Sequence, residues 1–187
     1  MKIQKLLTKS HSIVGFHPEG RPKDDFYPTP RIGTLGLLES EKFDGTIWEC
    51  ASGDGSMSRV LSEFGYDVVS TDLNPRNFGT QLDFLSSTQL LGDNIVTNPP
   101  FILSLEFLKH ALSLGARKVA LLNKTVFLEG VERATYLETT PLKKILVFRR
   151  RLKMSRNGAE IKGGGMISFS WFIWEAGYTG KPYISWI

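Results

Sequence analysis

Residues 46–58 run Thr46-Ile47-Trp48-Glu49-Cys50-Ala51-Ser52-Gly53-Asp54-Gly55-Ser56-Met57-Ser58. Thr46–Cys50 is a short apolar run that Ser52-Gly53-Asp54-Gly55 stops, so it reads as a strand entering a glycine turn. From Ser56 onward, Met57, Val60, Leu61 and Phe64 recur at helical spacing until Gly65 closes the segment. A strand that turns on glycines into a helix is the opening unit of an α/β fold.

The pattern repeats outward from this unit. Asp67–Asp72 and Asn94–Thr97 are strand-like, Leu103–Leu114 is helical in period, Lys118–Leu122 is a further strand and Glu129–Glu138 a further helix. Alternation of this kind predicts a mostly parallel central sheet with helices on both faces. Lys144–Phe148 and Met166–Glu175 break the rhythm. The polar, Gly-rich stretch between them is too short for a covering helix, which predicts an antiparallel hairpin at one end of the sheet. Its tip, Lys153 to Gly165, is expected to be mobile. Residues 1–24 read as a loose arm and 25–187 as one domain, with the basic hairpin around 143–175.

The whole-chain numbers agree with one globular domain. At 187 residues, 41% hydrophobic and 22% charged, the chain has a core-forming composition and excludes extensive disorder. A lone cysteine, Cys50, excludes an internal disulfide framework. The three histidines have no metal-ligand spacing, so no metal is expected. No signal segment or membrane-spanning run is apparent, and a cytoplasmic protein is expected. The charge is uneven. Residues 1–142 hold 14 Lys/Arg against 17 Asp/Glu, whereas 143–187 hold 9 against 2. Seven cations (Lys143, Lys144, Arg149, Arg150, Arg151, Lys153 and Arg156) fall within 14 residues without an acid among them. That density suits a grip on phosphates, and a charged sheet edge accounts for only two or three of the seven.

Two features define a cofactor site. Gly53 and Gly55 allow the backbone close to a bound molecule, and Asp72, 19 residues beyond Gly53 at the end of a strand, is placed for ribose hydroxyls. The dinucleotide fingerprint needs a third glycine, and that position holds Ser58. Glu49 and Asp54 add acidity that opposes a pyrophosphate. The turn therefore suits a cationic sulfonium cofactor, S-adenosylmethionine. A dinucleotide oxidoreductase is disfavoured on the same grounds.

A second constellation stands at the next strand end, Asn98-Pro99-Pro100-Phe101. The prolines fix φ and remove two donors, holding the Asn98 amide and the Pro99 carbonyl as preorganised acceptors. Such a pair can bind an exocyclic amino group, with Phe101 offering a flat face to a base.

With these residues in view, the sequence from Asp25 on resembles the N6-adenine DNA methyltransferases, including small phage and bacterial members. Asp25-Phe26-Tyr27-Pro28-Thr29-Pro30 resembles the family's segment around the methionine end of the cofactor, with Tyr27, Pro28, Thr29 and Pro30 as its cofactor-binding residues. Glu49, Cys50, Ala51, Gly53 and Gly55 resemble the cofactor motif. Asp72 with Leu73 resembles the ribose-binding position, and Asp83 with Phe84 the pair that binds the cofactor adenine. Asn98 through Phe101 matches the N-P-P-F form of the catalytic motif, Asn98 also touching the cofactor. The resemblance implies a Rossmann-like class I methyltransferase fold and methyl transfer from S-adenosyl-L-methionine to adenine N6 in DNA. Arg149, Arg150, Arg151, Lys153 and Arg156 would hold nucleic acid. No insertion is long enough for a target-recognition domain, which implies low or very short sequence specificity, or a separate specificity subunit or homodimer. Methylation of RNA adenine or a protein glutamine, and a non-catalytic partner subunit, stand as alternatives.

Overall fold

In the computed structural model, which describes residues 26–154 and 167–187, each short apolar run lies where a parallel sheet can bury it. β1 (Ile47–Glu49), β2 (Val68–Asp72), β3 (Thr80–Gln81), β4 (Asn94–Thr97) and β5 (Lys118–Lys124) pair in parallel. β6 (Leu142–Val147) and β7 (Phe169–Glu175) pair antiparallel, and β7 also pairs antiparallel with β5. With β8 (Tyr183–Trp186) the eight-stranded order is β3-β2-β1-β4-β5-β7-β6-β8. The expected mostly parallel sheet with a C-terminal antiparallel hairpin is present.

Two details differ from expectation. β7 inserts between β5 and β6, and the edge belongs to β8, which pairs in parallel with β6. The hairpin is therefore not the end of the sheet. β8 is four mostly exposed residues after Thr179-Gly180-Lys181-Pro182, a segment without apolar alternation to announce a strand.

Side chains alternate across the sheet with the period of two that a strand imposes. Ala120, Leu122, Trp171 and Ile173 join one core with α1 (Arg31–Ser40) and α2 (Ser56–Glu63). Val119, Leu121, Phe172 and Trp174 join the other with α3 (Ser104–Ser113) and α4 (Val131–Glu138). The buried indoles satisfy their N–H groups. Trp171 donates to the Gly33 carbonyl at 2.8 Å, Trp48 to Thr71 Oγ1 at 2.9 Å and Trp174 to Thr140 Oγ1 at 3.0 Å.

Helix α1 was not evident in the sequence, because Gly33 and Gly36 lower its helical propensity. Both permit close packing. A Cβ on Gly33 would stand 3.1 Å from Leu152 Cδ2, and one on Gly36 2.8 Å from Ile187 Cδ1. Leu152 and Met154 are buried in the α1–α2 core. The start of the loop expected to be mobile is therefore anchored at Met154, and 155–166 lie outside the described residues. Among the described residues no helix is long and apolar enough to cross a membrane.

Candidate active site

The C-terminal ends of β1, β2 and β4 open onto a cavity of about 420 Å³, within the usual size of small-molecule sites. Its lining brings together residues far apart in sequence: Tyr27, Pro28 and Thr29; Glu49, Cys50 and Ala51; Asp72 and Leu73; Asp83 and Phe84; and Asn98 through Phe101. Of the expected cofactor residues, Pro30, Gly53 and Gly55 do not line it.

The two glycines shape the turn. Gly53 has φ 53° and Gly55 has φ 80°, conformations that disfavour side chains. The space beside each is taken within the protein. A Cβ on Gly53 would come 2.2 Å from the Phe26 ring, and one on Gly55 2.5 Å from Phe78. The glycines thus admit aromatic rings of the chain itself beside the turn. Arg76 lies over the Phe26 ring at 4.3 Å and, with Phe26, lines the cavity. Asp54, read from the sequence as an acid of the turn, lines it too, and Ser52, Ser56, Met57, Asn74 and Phe107 also line it without having been singled out as cofactor residues. Phe107 follows from helical period and Phe26 from the segment 25–30 that the resemblance places at the cofactor; no local signal brings Arg76 to the site.

Asp72 accepts from the Gly53 N–H and the Asn74 N–H, both at 2.8 Å, which ties the end of β2 to the glycine turn. Asp83 accepts from the Leu85 N–H at 3.0 Å and the Ser86 hydroxyl at 2.7 Å. Phe84 is buried, its ring centroid 5.1 Å from Trp48 and 4.8 Å from Phe107.

Glu49 is fully enclosed, and burial pushes its carboxyl up to about 8, opposed by the hydrogen bond from Ser58. Ser58 Oγ in turn lies 2.6 Å from Ser70 Oγ. At neutral pH Glu49 is mostly protonated, so the acidity of the turn rests on Asp54 and Asp72. This corrects the sequence-based charge argument, which counted Glu49 as an anion. Burial also raises the Cys50 thiol, so Cys50 is a packed residue without thiolate character.

Asn98 is held from one side. Its Nδ2 donates to the Tyr27 carbonyl at 3.0 Å and to Thr29 Oγ1 at 3.2 Å. Its Oδ1 is buried and, among the described residues, has no hydrogen-bond partner. Phe101 is flanked by Tyr27 and Phe169, at ring-centroid distances of 5.9 and 5.6 Å. Lys124 Nζ lies over the same ring at 5.1 Å.

The basic cluster divides. Lys143 pairs with Glu175 at 2.8 Å, and Lys144 pairs with Glu41, which is 5% exposed. Lys118, at the start of β5, bridges to Glu41 at 3.0 Å and Glu175 at 3.4 Å. This network lies at the end of the sheet opposite the cavity. Lys143 and Lys144 are therefore structural ion-pair partners, a correction to the reading of all seven cations as one phosphate grip. Arg149, Arg150, Arg151 and Lys153 emerge exposed at the cavity end of β6, and Arg156 lies outside the described residues.

No protein-family model matches the chain, and no curated protein sequence matches it. Solved structures do. A type I restriction-modification methyltransferase subunit from Streptococcus thermophilus superposes with TM-score 0.56 at 14% identity, covering 87% of this chain and 48% of that one. A dimethyladenosine transferase from Plasmodium falciparum gives 0.53 at 11% identity, covering 80% and 62%. A ribosomal protein L11 methylase from Lactobacillus delbrueckii gives 0.50 at 14% identity, covering 75% of each. The fold is the Rossmann-like methyltransferase fold. This chain spans about half the length of the restriction-modification subunit.

Proposed function

We propose that the protein transfers a methyl group from S-adenosyl-L-methionine to the exocyclic N6 amino group of adenine in DNA. The observation that carries this reading is the Asn98 amide. Its nitrogen is tethered to Tyr27 and Thr29, while its buried oxygen, beside the cavity, has no partner among the described residues. An unpaired buried acceptor costs free energy unless a ligand satisfies it, and an amino group is the complementary donor.

The cavity lining fits the cofactor residue by residue: Asp72 and Asp83 offer carboxylates to hydroxyl and amino groups, Leu73, Phe84 and Phe107 offer apolar surface to a purine, and Asp54 offers a carboxylate to a cationic end. When bound, the cofactor supplies an electrophilic methyl group. Asn98 Oδ1 and the Pro99 carbonyl accept from the target N–H groups and orient the nitrogen lone pair, a contribution of positioning and electrostatics without covalent catalysis. Phe101 supplies the stacking face for a base taken out of its duplex. Arg149, Arg150, Arg151, Lys153 and Arg156 supply phosphate contacts that position without specifying sequence.

Incubation with methyl-labelled cofactor and DNA, RNA or protein, followed by nucleoside and amino-acid analysis, tests the substrate class. Label is expected in DNA as N6-methyladenine. Label confined to RNA or to protein would overturn the DNA assignment.

A further inference from the structure

Pro28 and Thr29 have a second side. Besides lining the cavity they wall a separate, more open groove of about 430 Å³, completed by Arg31, Ser56, Arg59 and Lys153 among others. Three cations line this groove, and among its described lining residues there is no carboxylate. Arg31 is held by Glu63 at 2.6 Å, which offsets its charge. Asp54, which accepts from Ser56 Oγ, faces the cavity instead. Arg59 and Lys153 remain as exposed cations converging from α2 and from the segment after β6.

Arg59 is preorganised. Its guanidinium lies over the Phe78 ring at 4.7 Å, a cation–π contact that restrains the side chain. Lys153 sits between the buried anchors Leu152 and Met154, which hold its backbone against α1 and α2. The groove is also one side chain away from the catalytic amide, because Thr29, which lines it, contacts Asn98 at 3.2 Å. S-adenosylmethionine carries one carboxylate and no phosphate, and this groove lies outside the cavity that fits it.

We propose that this groove binds the phosphodiester backbone of the DNA strand whose base enters the cavity, through Arg59 and Lys153. The inference rests on the nucleic-acid reading above and extends it by assigning a strand path and a phosphate ligand, Arg59, outside the basic hairpin. Anion-specific contacts of this kind release condensed counterions, which makes them countable.

The test is fluorescence anisotropy of a labelled DNA duplex titrated with Arg59→Gln, Lys153→Gln and Lys109→Gln across a salt series, with cofactor affinity followed by calorimetry. Arg59→Gln and Lys153→Gln are each expected to lower the slope of log affinity against log salt by about 0.9. Lys109→Gln, which removes a cation that does not line the groove, is expected to keep the wild-type slope. Cofactor affinity should stay within about twofold in all three. Unchanged slopes for both groove variants, or an equal loss in Lys109→Gln, would overturn the groove while leaving methyl transfer untouched. Absence of salt-dependent DNA binding by the wild-type protein would overturn the groove and the DNA reading together.

Discussion

The Thr29 hydroxyl accepts a hydrogen bond from Asn98 Nδ2 at 3.2 Å, across 69 residues of sequence. Thr29 is 6% exposed, and its partner's Oδ1 is left unpaired by the same arrangement. The segment ahead of α1 therefore orients the amide that β4 delivers. An amide can rotate to present either nitrogen or oxygen, and two acceptors on one side decide which faces the cavity.

Thr29→Val keeps the shape of the side chain and deletes the acceptor. With one hydrogen bond worth about 1 kcal/mol, kcat is expected to fall about fivefold to tenfold. KM for the cofactor should move less than kcat, and Thr29→Ser should restore most of the rate. Equal kcat in Thr29→Val and wild type, measured with labelled cofactor, would remove Thr29 from the positioning of Asn98.

The Glu49 carboxyl gives a pH prediction. Its folded value is about 8 against an ordinary 4.5. Between those values the unfolded chain has lost the proton that the folded protein retains, so this group makes stability fall as pH rises through the window. Glu49→Gln cannot titrate, so its melting temperature relative to wild type should rise between pH 4.5 and about 8 and level off above. Affinity of the wild type for a sulfonium cofactor should rise over the upper part of this window, because a cation favours the ionised carboxylate. A pH-independent difference in melting temperature would contradict the raised value.

Much of the sheet was legible because its strands and helices carry their own period. Ile95 and Val96 end at Asn98-Pro99, and Phe107, Leu108 and Ala111 mark one face of α3. The residues that form the cavity wall were legible where glycine or proline marked a turn. What escaped depends on partners distant in sequence. Gly33 and Gly36 look like helix breakers until Leu152 and Ile187 pack on them. Nothing local shows that Phe26 meets Gly53. Lys143 and Lys144 look continuous with Arg149 until β6 carries them to the opposite end of the sheet.

That division of charge is testable. Lys143→Ser and Lys144→Ser should leave the salt slope of DNA binding unchanged, because these cations face Glu175 and Glu41. Glu41→Gln, which leaves Lys144 without a carboxylate partner and Lys118 with Glu175 alone, should cost up to about 3 kcal/mol in urea unfolding without altering that slope. A slope lowered by Lys144→Ser would return that lysine to the phosphate-binding set.

The most direct measurement is the N6-methyladenine content of DNA, read by mass spectrometry after digestion, following incubation with S-adenosylmethionine and either wild type or Asn98→Ala. Cofactor affinity is measured in parallel by calorimetry, since Asn98 lines the cavity but most of its wall lies elsewhere. Wild type is expected to form N6-methyladenine, and Asn98→Ala to form at least a hundredfold less, about 3 kcal/mol of lost transition-state stabilisation. Cofactor affinity should change only a few-fold. N6-methyladenine formed at the wild-type rate by Asn98→Ala would contradict the role of the amide, and none formed by the wild type would contradict adenine methylation itself.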